Sequence, residues 1–107
     1  MKRLFLYSLL AFTLAGCSHH FYRTEGSVLH LFIKAPDATS VYFASSLDNF
    51  DLHPAQKTYS GTWVITVDAK RQFSYFYVID GQPYVPECTY KEKDDFGGEN
   101  CVFIPDM

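Results

Sequence analysis

Three cysteines, four histidines and twelve carboxylates carry the reactive chemistry of this sequence. A thiol can attack, ligate a metal or pair with a second thiol. Attack needs a base and an orienting group nearby, and no Ser/His/Asp or Cys/His arrangement is legible. His30 sits inside an apolar run, and His53 lies in an irregular stretch without a candidate nucleophile. His19 and His20 could hold a metal, but they stand in a polar stretch that reads more simply as a solvated linker. Glu92, Asp94 and Asp95 crowd a charged loop. A catalytic pair would need a raised pKa in a pocket, which an exposed acidic loop does not offer. The expectation is a chain that is not an enzyme and carries no metal or cofactor.

Cys17 has a different setting from the other two cysteines. Lys2 and Arg3 precede a largely apolar run over residues 4–15, which ends Leu14-Ala15-Gly16-Cys17. That run is shorter than the ~20 residues a membrane-spanning helix needs. With its cationic start it reads as the apolar region of a signal peptide. The ending resembles the lipobox of bacterial lipoproteins. The resemblance implies a signal peptide over 1–16, a diacylglycerol on the Cys17 thiol, and acylation of the new amine, palmitate being one such chain. It also implies firm anchoring in a bilayer, since several chains hold where one holds marginally. Ser18, rather than aspartate, follows the cysteine, which resembles outer-membrane sorting with the domain facing the periplasm. With Cys17 taken by lipid, Cys88 and Cys101 are an even pair in an oxidising compartment, and a disulfide is expected. Its loop would contribute roughly 3 kcal/mol in the chain-entropy model. A metal site is the rival, although neither cysteine has a His or second thiol at ligand spacing.

Something must position these groups, and the pattern says strands. Without the signal peptide about 90 residues remain, enough for one domain. Its seven basic and twelve acidic residues give a formal charge near −5 and no basic cluster, which argues against nucleic acid as a partner. Ten Phe and eight Tyr in the chain suit pleated structure. Residues 17–27 are polar and without period, so they read as a lipidated N-terminus and tether. Strands are expected over 28–34, 40–45, 62–67, 72–79, 84–85 and 101–104. In the strongest of these, Phe73, Tyr75, Tyr77 and Ile79 share one face, while Ser74, Phe76 and Val78 share the other. Asp80-Gly81 is a hairpin signal. Residues 46–60 and 89–100 read as long irregular connections. Trp63 is expected in the core. Short strands between turns and no helical period predict an all-β antiparallel sandwich over 28–107.

Five segments in order resemble one known domain. They are Ala35-Pro36-Asp37-Ala38-Thr39-Ser40-Val41-Tyr42-Phe43-Ala44, Ser46-Leu47-Asp48-Asn49-Phe50-Asp51, Gly61-Thr62-Trp63, Tyr75-Phe76-Tyr77-Val78-Ile79-Asp80-Gly81, and Asp94-Asp95-Phe96-Gly97-Gly98-Glu99-Asn100 followed by Cys101-Val102. Together they are similar to the glycogen-binding modules, including that of the AMP-activated protein kinase beta subunit. They are also similar to the early-set domains at the N-termini of isoamylases and glycogen branching enzymes. The resemblance implies an immunoglobulin-like sandwich of early-set type that binds α-1,4-glucans. An aromatic ring suits the apolar C–H face of a pyranose, and polar side chains suit its hydroxyl rim.

Carried over residue by residue, the family's first stacking tryptophan falls on Phe50 and its lysine on Phe76. Its second tryptophan falls near Pro83-Tyr84, so Tyr84 is the candidate there. Its asparagine is kept as Asn100, with Phe96 and Gly98 at two lesser contact positions. A ring in place of the lysine removes a charge-assisted hydrogen bond. The implied function is a membrane-anchored, non-catalytic module of the cell envelope with weak α-glucan binding. The alternative is a protein-interaction module on the same sandwich, with Phe50, Phe76 and Tyr84 as its contact patch and an envelope protein as partner.

Overall fold

A computed structural model describes residues 19–94 and 97–105. Ten strands run in chain order: β1 (His19–Glu25), β2 (Val28–Lys34), β3 (Val41–Ser45), β4 (His53–Pro54), β5 (Gln56–Lys57), β6 (Thr62–Asp68), β7 (Phe73–Ile79), β8 (Gln82–Tyr84), β9 (Lys91–Lys93) and β10 (Glu99–Phe103). The first sheet has the order β1-β2-β6-β5, and the second β4-β3-β7-β10-β9 with β8 also on β7. All pairings are antiparallel. The two sheets pack face to face as the antiparallel sandwich that the spacing of strands and turns predicts, of the immunoglobulin-like kind that the resemblance implies.

The core follows from period-two alternation. Leu29, Leu31 and Ile33 of β2 and Trp63 of β6 face Val41 and Phe43 of β3, Phe73, Tyr75 and Tyr77 of β7, and Cys101 and Phe103 of β10. Each fully buried side chain of this size is worth about 1.5–3 kcal/mol. Trp63 donates its indole N–H to the Ala35 carbonyl at 3.0 Å, so its one polar atom is satisfied inside the core. The chain crosses between sheets through the 35–40 loop. There the Asp80 carboxylate accepts from the amides of Thr39 (2.7 Å) and Ser40 (2.9 Å). Gly61 closes the same end at φ +83°, and a Cβ there would stand 2.8 Å from Pro36 Cβ. Only glycine fits that approach.

Four expectations need correction. The stretch read as a tether is mostly strand: β1 pairs with β2 along its full length, from His19↔Lys34 to Glu25↔Val28. Its faces are mixed, with His20 and Tyr22 pointing inward and Phe21 outward, so no clean alternation marks it in the sequence. The 46–60 connection contains a 3-10 turn (Ser46–Asp48) and the short strands β4 and β5, which hand the chain from the second sheet to the first. The charged 89–100 loop is a hairpin, with β9 paired to β10 through Glu99↔Lys93, Asn100↔Glu92 and Cys101↔Lys91. The strand expected at 84–85 lies one or two residues earlier, as β8.

β1 closes one side of the sandwich. The His20 ring lies 5.4 Å from the Tyr77 ring and 6.0 Å from Tyr75, and its Nε2 is 2.9 Å from the Tyr77 hydroxyl. Desolvation by burial pushes the His20 pKa from 6.5 down to about 4. The folded protein thus resists a proton that the unfolded chain accepts. Stability from this group is fully present above pH 6.5 and drains as pH falls toward about 4. Allowing for its partial exposure, the loss should be about 2 kcal/mol. The unfolding free energy from urea titrations should fall between pH 7 and about pH 4 by that much more in the native chain than in His20→Phe. Equal falls would refute the assignment to His20.

Candidate functional site

The expected site begins with Phe50, and the backbone that carries it is unusual. Ser45 Oγ accepts from the Leu47 amide at 3.3 Å and starts the 3-10 turn. Asn49 and Phe50 then both adopt φ +62°. A phenylalanine in the left-handed region costs roughly 1–2 kcal/mol and persists only where its surroundings enforce it. Here the Phe50 amide donates to the Ser45 carbonyl at 2.7 Å. The Ser74 amide donates to Ser46 Oγ at 3.1 Å, which pins the turn against β7. Asp48 and His53 pair across the same connection. The result aims the Phe50 ring at Phe76, with centroids 5.9 Å apart and planes 21° from parallel. Phe50 keeps 37% of its surface exposed, and Phe76 is half-buried beneath it.

Phe76 lies on the outer face of the second sheet, as its alternation with Tyr75 and Tyr77 predicts. Its neighbours on that face are Ala44 and Tyr42 of β3, Val78 of β7 and Pro83 of β8. Asn100 points to the same face, because the next residue, Cys101, points into the core. Asn100 is only 9% exposed, so little of its amide reaches solvent. Gly98 is exposed in the β9–β10 turn, where its amide donates to Asp94 Oδ1 at 2.8 Å.

Tyr84 does not join Phe50 and Phe76. It stands directly opposite Tyr77 in the β7–β8 ladder and packs against the core from the inner side. Directly paired residues share a face, so it is Pro83, opposite Val78, that faces outward. The sequence signal for Tyr84 is its place near the family's second tryptophan, which is silent on register. Cys17 and Phe96 lie outside the described residues.

Cys88 and Cys101 are bonded, with Cα atoms 5.9 Å apart. The bridge holds the 87–90 segment beside β10, and the Val102 amide donates to the Tyr90 carbonyl at 2.8 Å. Between this segment and β1 lies an open cleft of about 460 Å³ that no motif announced. His20, Tyr22, Tyr75, Glu87, Thr89 and Tyr90 contribute its polar lining. Burial, with the neighbouring Tyr22, pushes the Tyr75 hydroxyl pKa up. Burial also holds the Tyr77 hydroxyl well above its ordinary value, with Tyr75 and Tyr84 adding to the shift. Near neutral pH the base of the cleft therefore presents uncharged donors and acceptors. Among the described residues, no three His, Cys, Asp or Glu side chains gather as a metal-binding group.

No family model matches this chain, and no curated protein matches it in sequence. The likeness to glycogen-binding modules therefore rests on the motifs and on the sandwich alone.

Proposed function

We propose that this protein is a lipid-anchored, non-catalytic binding module of the cell envelope, held in the outer membrane and facing the periplasm. Its contact surface is the outer face of the second sheet, centred on Phe50 and Phe76. The observation that carries this reading is the left-handed Phe50, kept in a costly conformation and half-exposed on top of Phe76. Strain held at one exposed aromatic residue fits a contact site better than a core role.

Of the two ligands considered, an envelope protein is better supported than a linear α-glucan. A glucan needs several open ring faces with a polar rim. Here one face of Phe76 is covered by Phe50, Tyr84 faces the core, and Asn100 is nearly buried. What is left is a half-exposed apolar strip of Tyr42, Phe50, Phe76 and Val78 with Pro83 beside it, the kind of surface that a protein partner covers. Weak glucan binding through the free face of Phe50 is the second reading, and the quoted motifs support it.

Two experiments separate the readings. A partner purified from detergent-solubilised envelope with the native protein should lose about tenfold in affinity for Phe76→Lys, because the change puts a charge at the centre of the apolar contact. Calorimetry at millimolar maltoheptaose should show no heat. Heat that disappears in Phe50→Ala would replace the protein reading with the sugar one. The anchor has its own test. Native protein should fractionate with membranes and carry the mass of its lipid, while Cys17→Ser should lose both.

A further inference from the structure

The other outer face of the sandwich, on β1, β2 and β6, carries aromatic and cationic side chains toward one end. Phe21 of β1 stacks on Phe32 of β2, with centroids 4.8 Å apart and planes 12° from parallel. Phe21 is 53% exposed. The Arg23 guanidinium sits 5.6 Å from the Phe32 centroid, and Val64 of β6 pairs with Phe32 on its other side. Lys34, exposed, marks the end of the face where β1 begins. The opposite end carries Glu25 and Asp68, both paired with Val28, and the turn after Asp68 adds the exposed Lys70 and Arg71. Glu25 is further engaged by His30 Nε2 at 3.0 Å. Two other acids lie in loops near the Lys34 end. Asp80 is occupied by the Thr39 and Ser40 amides, and Asp37 belongs to the 35–40 loop beyond the sheet.

The chain's own attachment point lies at the aromatic and cationic end. Cys17 precedes the first residue of β1 by two positions and Phe21 by four. Four residues span at most about 14 Å. A thiol fixed in a bilayer therefore keeps Phe21 and Lys34 within reach of the headgroups, with no tether between. We propose that the Phe21–Phe32–Arg23–Lys34 end of this face docks on an anionic lipid surface, the leaflet that holds Cys17. Aromatic rings favour the headgroup boundary, and cations near an anionic surface add attraction. Attachment through Cys17 keeps the Lys34 end nearest the surface, so the domain tilts on that end. The opposite sheet, with Phe50 and Phe76, then faces away from the membrane toward its partner. This orientation rests on the anchor reading above.

The test uses the full lipidated protein in nanodiscs of phosphatidylcholine and phosphatidylglycerol, with or without brominated acyl chains. Mass spectrometry first establishes lipid on Cys17. Trp63 is 7% exposed in the core, and wild-type protein gives its background. The fluorescence added by Phe21→Trp should fall about twofold in brominated nanodiscs, as for a ring at the acyl boundary. That quenching should weaken when phosphatidylglycerol is left out, and again when Arg23→Glu and Lys34→Glu are added. Tyr42→Trp, on the opposite face, should be unaffected. If Cys17 carries lipid and Phe21→Trp is unquenched, or Tyr42→Trp is quenched instead, the docking proposal is overturned and the anchor stands. If Cys17 carries no lipid, both fall together.

Discussion

Phe43→Ala should destabilise the domain by about 3–5 kcal/mol, the largest effect expected from any single substitution here. Phe43 is 1% exposed and stands midway between the sheets. Its ring meets Tyr75 at 5.6 Å, Tyr77 at 5.7 Å and Phe73 at 6.3 Å. Removing it takes one wall from three aromatic neighbours at once. The cavity cannot close easily, because β3 and β7 are held in register by five residue pairs from Val41↔Ile79 to Ser45↔Tyr75. Against a total stability of about 5–15 kcal/mol, this removes a large share. The midpoint of thermal unfolding should drop by roughly 12 °C or more. Leu52→Ala is the control: Leu52 is 53% exposed, and its loss should stay within about 0.5 kcal/mol. A Phe43→Ala effect as small as that of Leu52→Ala would mean that the sandwich is not packed as described.

Removing the disulfide should be nearly as costly. Cys88→Ala with Cys101→Ala is expected to lose about 2–5 kcal/mol, with ~3 from the loop alone. The bond spans 13 residues, and the Cys101 side is completely buried opposite Tyr75. Besides the bridge, buried Pro86 and the bond from the Val102 amide to the Tyr90 carbonyl tie the segment before β9 to the sandwich. Unfolding in urea with and without reductant measures the effect, and the reduced native protein should match the double variant. Hydrogen exchange should rise first over residues 87–93, and with it the wall of the cleft beside His20 should loosen. Equal midpoints in the two conditions would show that the hairpin stands without its bridge.

Much of the fold was legible because alternation is a local property. The seven residues of β7 alternate so strictly that Phe73, Tyr75 and Tyr77 could be assigned inward and Phe76 outward without coordinates. The apolar run over 28–34 marks β2 as a strand, while its inward set of Leu29, Leu31 and Ile33 comes from the structure. The Asp80-Gly81 turn and the Cys88–Cys101 pairing follow from local turn chemistry and from counting thiols. β1 was missed for a physical reason. Its inward positions are His20, Tyr22 and Thr24, none of them aliphatic, and its outward face includes Phe21. A strand with only His20 half-buried, and with Tyr22 and Thr24 left exposed, does not look amphipathic.

By itself, then, the order of residues determined the class of fold, the core face of β7, the bridge between Cys88 and Cys101, and the aromatic identity of positions 50 and 76. Tertiary structure decided which of those aromatics share a surface. Phe50 reaches Phe76 only because Asn49 and Phe50 both turn left-handed against Ser45 and Ser46, a local geometry that no periodicity encodes. Tyr84 is turned away because the β8 register sets it opposite Tyr77, and a shift of one residue would reverse every face on that strand. His20 loses affinity for a proton because burial beside Tyr75 and Tyr77, the latter 57 residues away, desolvates it. Faces follow from alternation within a strand, but what covers each face depends on pairing between strands distant in the chain.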